Sequence, residues 1–334
     1  MTDTMLHVAT KPVRSAIAVF ALALLLAGPS TLASEAGPGR GSRDDVYEAR
    51  DRRVGYLERF YGHFEGERAR PIAEMLPDDI SWHMIGWRED VVPFAGLYSG
   101  HEEILRFFND YFAAIKIREY HFQYRLVDGD YVSWHFRLVA EVPSTGKSFN
   151  AEFVHVWQFD GRGKPVFCRS YYDTQLQVAA FTVGGPTQLT DRQNRDDHFR
   201  VGCTPYDVQG MVKALYDLFY SGDIAGVFGM LADDVYVYFK GTDNPQSGEY
   251  HGSAGILQFI YNLAGTAALN DVTRFYITEG DRTDVVLLEH WTVFATGKSY
   301  HVHTVNSWRV NGQGKLMGFI NYPDVDEVAA AYIP

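Results

Sequence analysis

The sequence is poor in cysteine, which excludes several ways of holding a protein together. Its 334 residues contain only Cys168 and Cys203, so neither a dense disulfide framework nor a zinc-binding cysteine pair is present. Cys168 falls on a predicted strand and Cys203 in a predicted linker. Two outcomes stay open: a disulfide, if the protein is exported, or two free, partly buried thiols.

Clusters of basic residues are also missing. The formal net charge is −12, and no stretch of lysine and arginine offers a face for phosphates, which excludes nucleic acid as the expected partner. No phosphate loop, dinucleotide fingerprint or Ser-His-Asp spacing stands out either. We therefore expect no cofactor.

The sequence also lacks an apolar run long enough to span a membrane, including at its N-terminus. Lys11 and Arg14 precede an apolar run of only 13 residues, 16–28, whereas a membrane span needs about 20. Small residues follow up to Ala36. This is the pattern of a signal peptide, 1–36, so we expect a periplasmic or secreted protein with no membrane contact after cleavage. The alternative is an uncleaved anchor.

The chain repeats itself. "LPDDISWHM" (76–84) returns as "LADDVYVYF" (231–239), and "TGKSFNAEFVHVW" (145–157) returns as "TGKSYHVHTVNSW" (296–308). The offset drifts only from 155 to 151 residues. We predict a flexible neck at 37–43, domain 1 at 44–181, a linker at 182–205 and domain 2 at 206–334.

Each copy begins with helical spacing and then changes to a period of two. Val54, Leu57, Tyr61 and Phe64 are three or four residues apart, and Asp223 is the predicted N-cap of a second helix in the second copy. Four strands follow the third helix of each copy. Helices followed by a run of antiparallel strands predict an α+β fold, with about three helices packed on a curved sheet.

The pattern "DDISWHM…TGKSFNAEFVHVWQFDGRGK…SYYDT" resembles the SnoaL-like branch of the nuclear-transport-factor-2-like superfamily, which includes ketosteroid isomerase and polyketide cyclases. The resemblance covers nearly all of both copies. It implies two tandem cone-shaped α+β barrels, each wrapped around an apolar pocket. It implies little about activity, because this fold hosts enzymes, binding modules and assembly domains.

The catalytic set of the steroid isomerase is absent from both copies. The place of its tyrosine falls on Phe60 and Leu215, and the place of its aspartate base falls on Met84 and Phe239. Where it keeps a second acid, the first copy has His155 and the second has Asn306. His155 is therefore either a group that polarises or deprotonates a ligand or a core histidine bound to a neighbour.

The other candidates of domain 1 surround this position. A bulge would turn His83 inward, and Tyr172 matches a pocket tryptophan of the isomerase. Trp134 shares the inward face of its strand, which places His135 on the opposite side. The predicted aromatic lining of the pocket consists of Trp82, Trp87, Trp134, Phe153 and Trp157.

In domain 2, Glu289 shares an inward face with Trp291, and Trp308 lies near Asn306. A carboxyl group of raised pKa beside an amide donor would suit proton transfer, although Glu289 can equally be a solvated rim carboxylate. His301 and His303 share the opposite strand face. They could bind zinc with His251 or His290, but we expect no metal and instead a contact between the two sheets, with Glu152 at the matching place.

These observations favour an exported protein that binds a small apolar molecule, with or without acid/base turnover such as isomerisation, dehydration, hydration or cyclisation. The alternative is a ligand-binding or assembly module with no activity. The expected partners are the small molecule and the other domain, as an internal pseudo-dimer, with a homo-oligomer left open. Ligand identity is beyond the sequence.

Overall fold

The protein is described here by a computed structural model that covers residues 43–86, 88–191 and 201–334. The predicted signal peptide, neck residues 37–42, Trp87 and linker residues 192–200 lie outside the described residues. The described chain forms two α+β units of the same design, one after the other, which confirms the expected fold class.

Domain 1 begins with two helices, and a third helix precedes its long strands. In chain order its elements are α1 (Arg43–Glu65), α2 (Ala69–Met75), β1 (Ser81–Met84), β2 (Gly96–Ser99), α3 (Gly100–Ala114), β3 (Lys116–Asp128), β4 (Tyr131–Val142), β5 (Lys147–Phe159), β6 (Pro165–Tyr171), α4 (Thr174–Phe181) and β7 (Gln188–Thr190).

Domain 2 repeats this order. Its elements are α5 (Val208–Ser221), α6 (Ile224–Met230), β8 (Leu231–Phe239), β9 (Gly248–His251), α7 (Gly252–Ala264), β10 (Ala267–Glu279), β11 (Arg282–Val293), β12 (Ser299–Val310), β13 (Leu316–Pro323) and α8 (Val325–Tyr332). No helix among the described residues is long and apolar enough to cross a membrane.

The two sheets have the same strand order. It is β2-β1-β6-β5-β4-β3 in domain 1 and β10-β11-β12-β13-β8-β9, read from the other edge, in domain 2. Neighbours are antiparallel except for β1 with β6 and β8 with β13, while β7 adds a short parallel pair to β5. Because side chains alternate along a strand, each sheet has one face toward the helices and one face away from them.

Local signals set the helices. Asp223 caps α6 as predicted, since its carboxylate accepts a hydrogen bond of 2.8 Å from the Gly226 amide. Gly222 ends α5 in the left-handed region at φ 78°, which glycine adopts without a steric cost. In α1, the spaced residues Leu57, Tyr61 and Phe64 are all buried.

The outer faces of the two sheets pack against each other. Ile277, Val286, Val305 and Tyr322 of domain 2 belong to the same apolar cluster as the core of domain 1. His135, on the outer face as expected, lies 2.7 Å from the Asp284 carboxylate, and both side chains are buried. The apolar core of domain 1 therefore extends into the interface, whereas the interior of domain 2 forms separate clusters.

A buried cation lies in this interface. The Lys240 ammonium donates to Glu152 at 3.2 Å and to Asp191, and all three side chains are at most 2% exposed. The two carboxylates keep the pKa of Lys240 raised even though burial alone would lower it. Glu152 thus meets a lysine of domain 2.

His303 does not meet Glu152, its counterpart in the repeat, but contacts Arg169 of domain 1. Its Nδ1 lies 3.1 Å from an Arg169 nitrogen, and the Nε of Arg169 donates to His83 Nδ1 at 2.9 Å. Burial and the Arg169 charge lower the pKa of both histidines to about 4, so both are neutral acceptors at neutral pH. Cys168 and Cys203 are free thiols, the first buried and the second exposed.

Candidate functional site

A cavity of about 100 Å³ lies between the helices and the inner sheet face of domain 2. One water molecule needs about 10–15 Å³ by this measure, so the space holds several waters or a small organic molecule. Most of the wall is apolar. It includes Leu215, Phe219, Val227, Leu231, Val235, Val237, Phe239, Ile256, Phe259, Ile260, Leu263, Trp291, Val302, Trp308, Phe319 and Val328.

One of the polar residues in the wall is a tyrosine that has two hydrogen-bond donors at its oxygen. The hydroxyl oxygen of Tyr216, on α5, accepts a hydrogen bond of 2.7 Å from Asn306 Nδ2 and another of 3.3 Å from Trp308 Nε1. A phenol can accept two hydrogen bonds and donate one. Because both donors point at its oxygen, the hydroxyl hydrogen of Tyr216 is left to donate to a third group.

A second amide sets the direction of these bonds. Asn321 Nδ2 donates to Asn306 Oδ1 and to Thr304 Oγ1, both at 2.7 Å. Since Asn306 uses its oxygen to accept from Asn321, its NH₂ group is turned toward Tyr216. Tyr216, Asn306 and Asn321 all line the cavity.

Glu289, on β11, is the acidic group of the same wall. Its side chain is partly exposed and interacts with the phenol groups of Tyr216, Tyr220 and Tyr300 of the same wall. Burial raises the pKa of Glu289 to about 7, and a hydrogen bond from Trp291 opposes this shift. At neutral pH the carboxyl group is therefore present in both protonation states, which suits a group that takes up and returns a proton.

In domain 1 the corresponding tyrosine has all of its hydrogen-bond partners within the protein core. Tyr61, the counterpart of Tyr216 at an offset of 155 residues, accepts a 3.0 Å hydrogen bond from Trp157 and lies 2.8 Å from His155 Nδ1. Burial lowers the pKa of His155 to about 3, so the ring is neutral and Nδ1 can accept the tyrosine hydrogen. The Tyr61 hydroxyl is thereby satisfied inside the core.

The interior of domain 1 is filled by its own side chains. Strand pairing sets the correspondence: Trp82 pairs with Cys168 beside Trp157, and Val237 pairs with Phe319 beside Trp308. At four equivalent positions of the repeat, domain 1 has an aromatic ring where domain 2 has a smaller side chain. The pairs are Phe60 and Leu215, Trp82 and Val237, Phe108 and Ile260, and Phe153 and Thr304.

These four rings, the aromatic cluster of domain 1, are at most 1% exposed. The ring centroids of Trp82 lie 5.8 Å from Phe60 and 5.2 Å from Phe108, within the range of aromatic contact. By the same register, Leu138 stands in domain 1 where Glu289 stands in domain 2. Domain 1 thus has neither the open space nor the acid at these positions.

The sequence model of the SnoaL-like domain matches residues 57–166 and again residues 212–318, nearly two thirds of the chain. The chain belongs to the SnoaL-like domain family. A search of curated proteins finds no significant match.

Solved structures resemble single SnoaL-like domains of this chain. A nuclear-transport-factor-2-like protein of Burkholderia xenovorans is 19% identical and covers 37% of this chain and 95% of its own, with a TM-score of 0.35. A SnoaL-like protein of Mesorhizobium loti, described as a putative polyketide cyclase, is 21% identical and covers 35% and 99%, with a TM-score of 0.30.

The structure brings together the residues that the sequence pointed to in the second SnoaL-like domain. Glu289, Trp291, Asn306 and Trp308 all line the cavity. In the first domain, His155, Trp82, Trp134, Phe153 and Trp157 lie in one packed core. There the expected pocket lining packs against itself, and His155 meets Tyr61 and the rings of Trp82 and Phe136.

Two further candidates, His83 and Tyr172, are not part of an open site. The register of β1 runs without a shift from Ser81 to Met84, so Trp82 points inward and His83 points to the domain interface, without the expected bulge. Tyr172 is buried, and its hydroxyl donates to the Ile85 carbonyl. Trp87 lies outside the described residues.

Metal-ligating side chains do not converge in the described part of the chain, where no three of His, Cys, Asp and Glu form a group that could hold an ion. His301 stacks on His290 with ring centroids 4.1 Å apart, and His303 contacts Arg169.

The residue that the sequence comparison missed is the tyrosine. The resemblance places Phe60 and Leu215 at the isomerase tyrosine, whereas the structure has Tyr61 and Tyr216, one position later, in contact with His155 and Asn306. Comparison of the two copies carries the signal, because these tyrosines coincide at the repeat offset while their neighbours differ.

Two single substitutions, Trp82→Val and Val237→Trp, test whether the interior of domain 1 is filled and that of domain 2 is open. Trp82→Val should lower the free energy of unfolding by about 3 kcal/mol, because it leaves a cavity in a packed core. Val237→Trp should cost less than about 1 kcal/mol, because the ring enters existing space. Urea unfolding followed by circular dichroism measures both. A larger cost for Val237→Trp than for Trp82→Val would contradict the structure.

Proposed function

We propose that the second SnoaL-like domain binds a small, largely apolar molecule with one hydrogen-bond acceptor, such as a ketone, and moves a proton on it. The observation that carries the proposal is that Tyr216 and Glu289 line the same apolar cavity. Apolar walls with a few convergent polar groups are typical of small-molecule sites. The first domain is the scaffold.

Tyr216 is the proposed electrophilic group. Its hydroxyl hydrogen is free to bond a ligand oxygen, because Asn306 and Trp308 already donate to the phenol oxygen. Those two N–H groups also stabilise negative charge on that oxygen, which strengthens the tyrosine as a donor while charge develops on a ligand carbonyl. Burial nevertheless keeps the pKa of Tyr216 raised, so the group donates as a neutral phenol.

Glu289 is the proposed acid/base group. With its pKa raised to about 7, it can remove a proton next to a carbonyl as the carboxylate and return it elsewhere as the acid. Taking a C–H proton and returning it to another atom of the ligand is an isomerisation. The same two groups also suit dehydration or cyclisation.

A binding module without turnover is the second candidate. Domain 1 favours it, because there the same fold persists with Leu138 in the place of the acid and with a filled interior. The two candidates differ in one observable: a bound ketone exchanges its acidic hydrogens with solvent only if Glu289 acts on it.

The pair 2-indanone and indane tests the role of Tyr216, because the two share a ring skeleton and differ in the carbonyl oxygen. Wild type should bind 2-indanone more tightly. Tyr216→Phe should weaken 2-indanone binding roughly fivefold, one net hydrogen bond, and leave indane unchanged. Titration calorimetry measures both, with the exposed Tyr206→Phe as the control. An equal loss for the two compounds would show that Tyr216 only shapes the cavity.

Exchange of the α-protons of 2-indanone in D₂O tests Glu289. The protein should accelerate exchange, and the rate should rise with pH and level off above about 7, because only the ionised carboxylate takes a proton. Glu289→Gln should slow the protein-dependent exchange by roughly 100-fold or more. The exposed Glu102→Gln serves as the control. Binding without exchange in wild type would leave the binding module as the function.

We also propose that the chain is exported and loses residues 1–36, supported by the basic and then apolar start of the sequence. The use of both outer sheet faces within one chain further supports an internal pseudo-dimer. When the whole gene product is expressed in a Gram-negative host, native mass spectrometry of the periplasmic fraction should find a monomer without these residues. A full-length product in the cytoplasm would contradict export.

A further inference from the structure

Helix α8 closes one side of the cavity in domain 2. Val328, in the middle of the helix, lines the cavity and is buried, and Pro323, just before the helix, also lines it. Val328 packs in one apolar cluster with Trp291 and Tyr300, two other wall residues. The position of α8 therefore sets the shape of the cavity.

The first turn of this helix is held by domain 1. The Asp324 carboxylate accepts hydrogen bonds from the Gly86 amide at 3.1 Å and from Thr174 Oγ1 at 3.2 Å. Thr174 Oγ1 also accepts a hydrogen bond of 3.0 Å from the Asp326 amide. A single buried hydroxyl of domain 1 thus uses both its donor and its acceptor on the start of α8.

Asp324 differs here from the other aspartates that precede helices. Asp173, Asp207 and Asp223 each accept a hydrogen bond from an amide of their own helix. Asp324 occupies the same position before α8 but directs its carboxylate to Gly86 and Thr174. The first turn of α8 therefore takes hydrogen bonds from Gly86 and Thr174 of domain 1, in addition to the contacts of the Asp324 carboxylate with amides of its own helix.

The backbone part of this contact is reciprocal, because Asp173 also accepts a hydrogen bond from the Gly241 amide of domain 2, but the next residue differs between the domains. Asp173 precedes α4 and Asp324 precedes α8, so Thr174 and Val325 are counterparts. Thr174 has the hydroxyl that joins the domains, whereas Val325 packs against Gly241. Thr174 thus gives domain 1 a polar contact with the helix that covers the open cavity, whereas the apolar contact of Val325 stays within domain 2.

The far end of α8 is fixed within domain 2. The Tyr332 hydroxyl accepts a 2.6 Å hydrogen bond from Gln246 Nε2 and lies 3.0 Å from Thr266 Oγ1. Loss of the anchor at Thr174 would therefore free the first turns of α8, next to Val328, while the last turn stays in place.

We propose that Thr174 of domain 1 is a positioning residue for the cavity of domain 2, acting through Asp324 and the first turn of α8. The proposal rests on the proposed function in taking the cavity as a binding site. It also gives domain 1 a role beyond that of a scaffold, because the filled domain holds a wall of the open one.

Thr174→Val, which keeps the shape and removes the hydroxyl, is the main test in the full chain. Hydrogen exchange of the amides in 325–329 should become at least roughly fivefold faster, because a buried carboxylate and an amide lose their partner. Affinity for 2-indanone and for indane should fall by the same several-fold factor, since a wall moves and no ligand hydrogen bond is lost. Thr174→Ser, which keeps the hydroxyl, should restore both readouts.

Thr182→Val is the matched control, because the Thr182 hydroxyl bonds to Val178 within domain 1. It should change neither readout. Asp324→Asn is the second variant, should Thr174→Val fail to fold, and is expected to accelerate exchange in the same segment. Unchanged exchange in 325–329, or faster exchange with unchanged affinity for both compounds, overturns the proposal. Failure of the wild type to bind 2-indanone overturns the proposed function instead, and the exchange data then still show whether Thr174 holds α8.

Discussion

The packing of the two outer sheet faces against each other is the constraint on which the rest of the structure depends. Its polar centre is the Lys240 ammonium between Glu152 and Asp191, fully removed from solvent. Removing one partner from such a buried group typically costs about 3–5 kcal/mol, because the remaining charges are left without compensation. The interface occupies the outer faces, and the cavity of domain 2 lies on the inner face of its sheet. It also brings loops of domain 1 within reach of α8.

Within this frame, the two copies use one interior in opposite ways. Aromatic rings at Phe60, Trp82, Phe108 and Phe153 fill the first, and the smaller counterparts leave space in the second. The polar position follows the same division. His155 can accept the hydrogen of Tyr61 and close the group, whereas Asn306 donates to Tyr216 and leaves the phenol hydrogen to the cavity. A change of one residue type thus reverses the direction of a hydrogen bond.

Much of this architecture could be predicted from sequence patterns, and the features that could not be predicted have physical reasons. The repeats, the cap at Asp223 and the strand alternation that brings Glu289, Trp291, Asn306 and Trp308 to one wall are local features, readable from spacing alone. Whether an interior is filled depends on rings from several elements at once, such as Phe60 on a helix and Trp82 on a strand. The predicted orientation of His83 required a bulge that β1 does not have, which spacing cannot show. The partners of His135 and Thr174 lie in the other domain, about 150 residues away in sequence.

The central claim is that domain 2 has the open site and domain 1 the filled one. A crystal structure of the protein soaked with 5-bromo-2-indanone tests it most directly, because the anomalous signal of bromine locates the compound without prior assumptions. The expected result is one peak in the cavity of domain 2, with the ketone oxygen within hydrogen-bonding distance of the Tyr216 hydroxyl. A peak beside His155 in domain 1, or an empty cavity in domain 2 at saturating compound, would contradict this account.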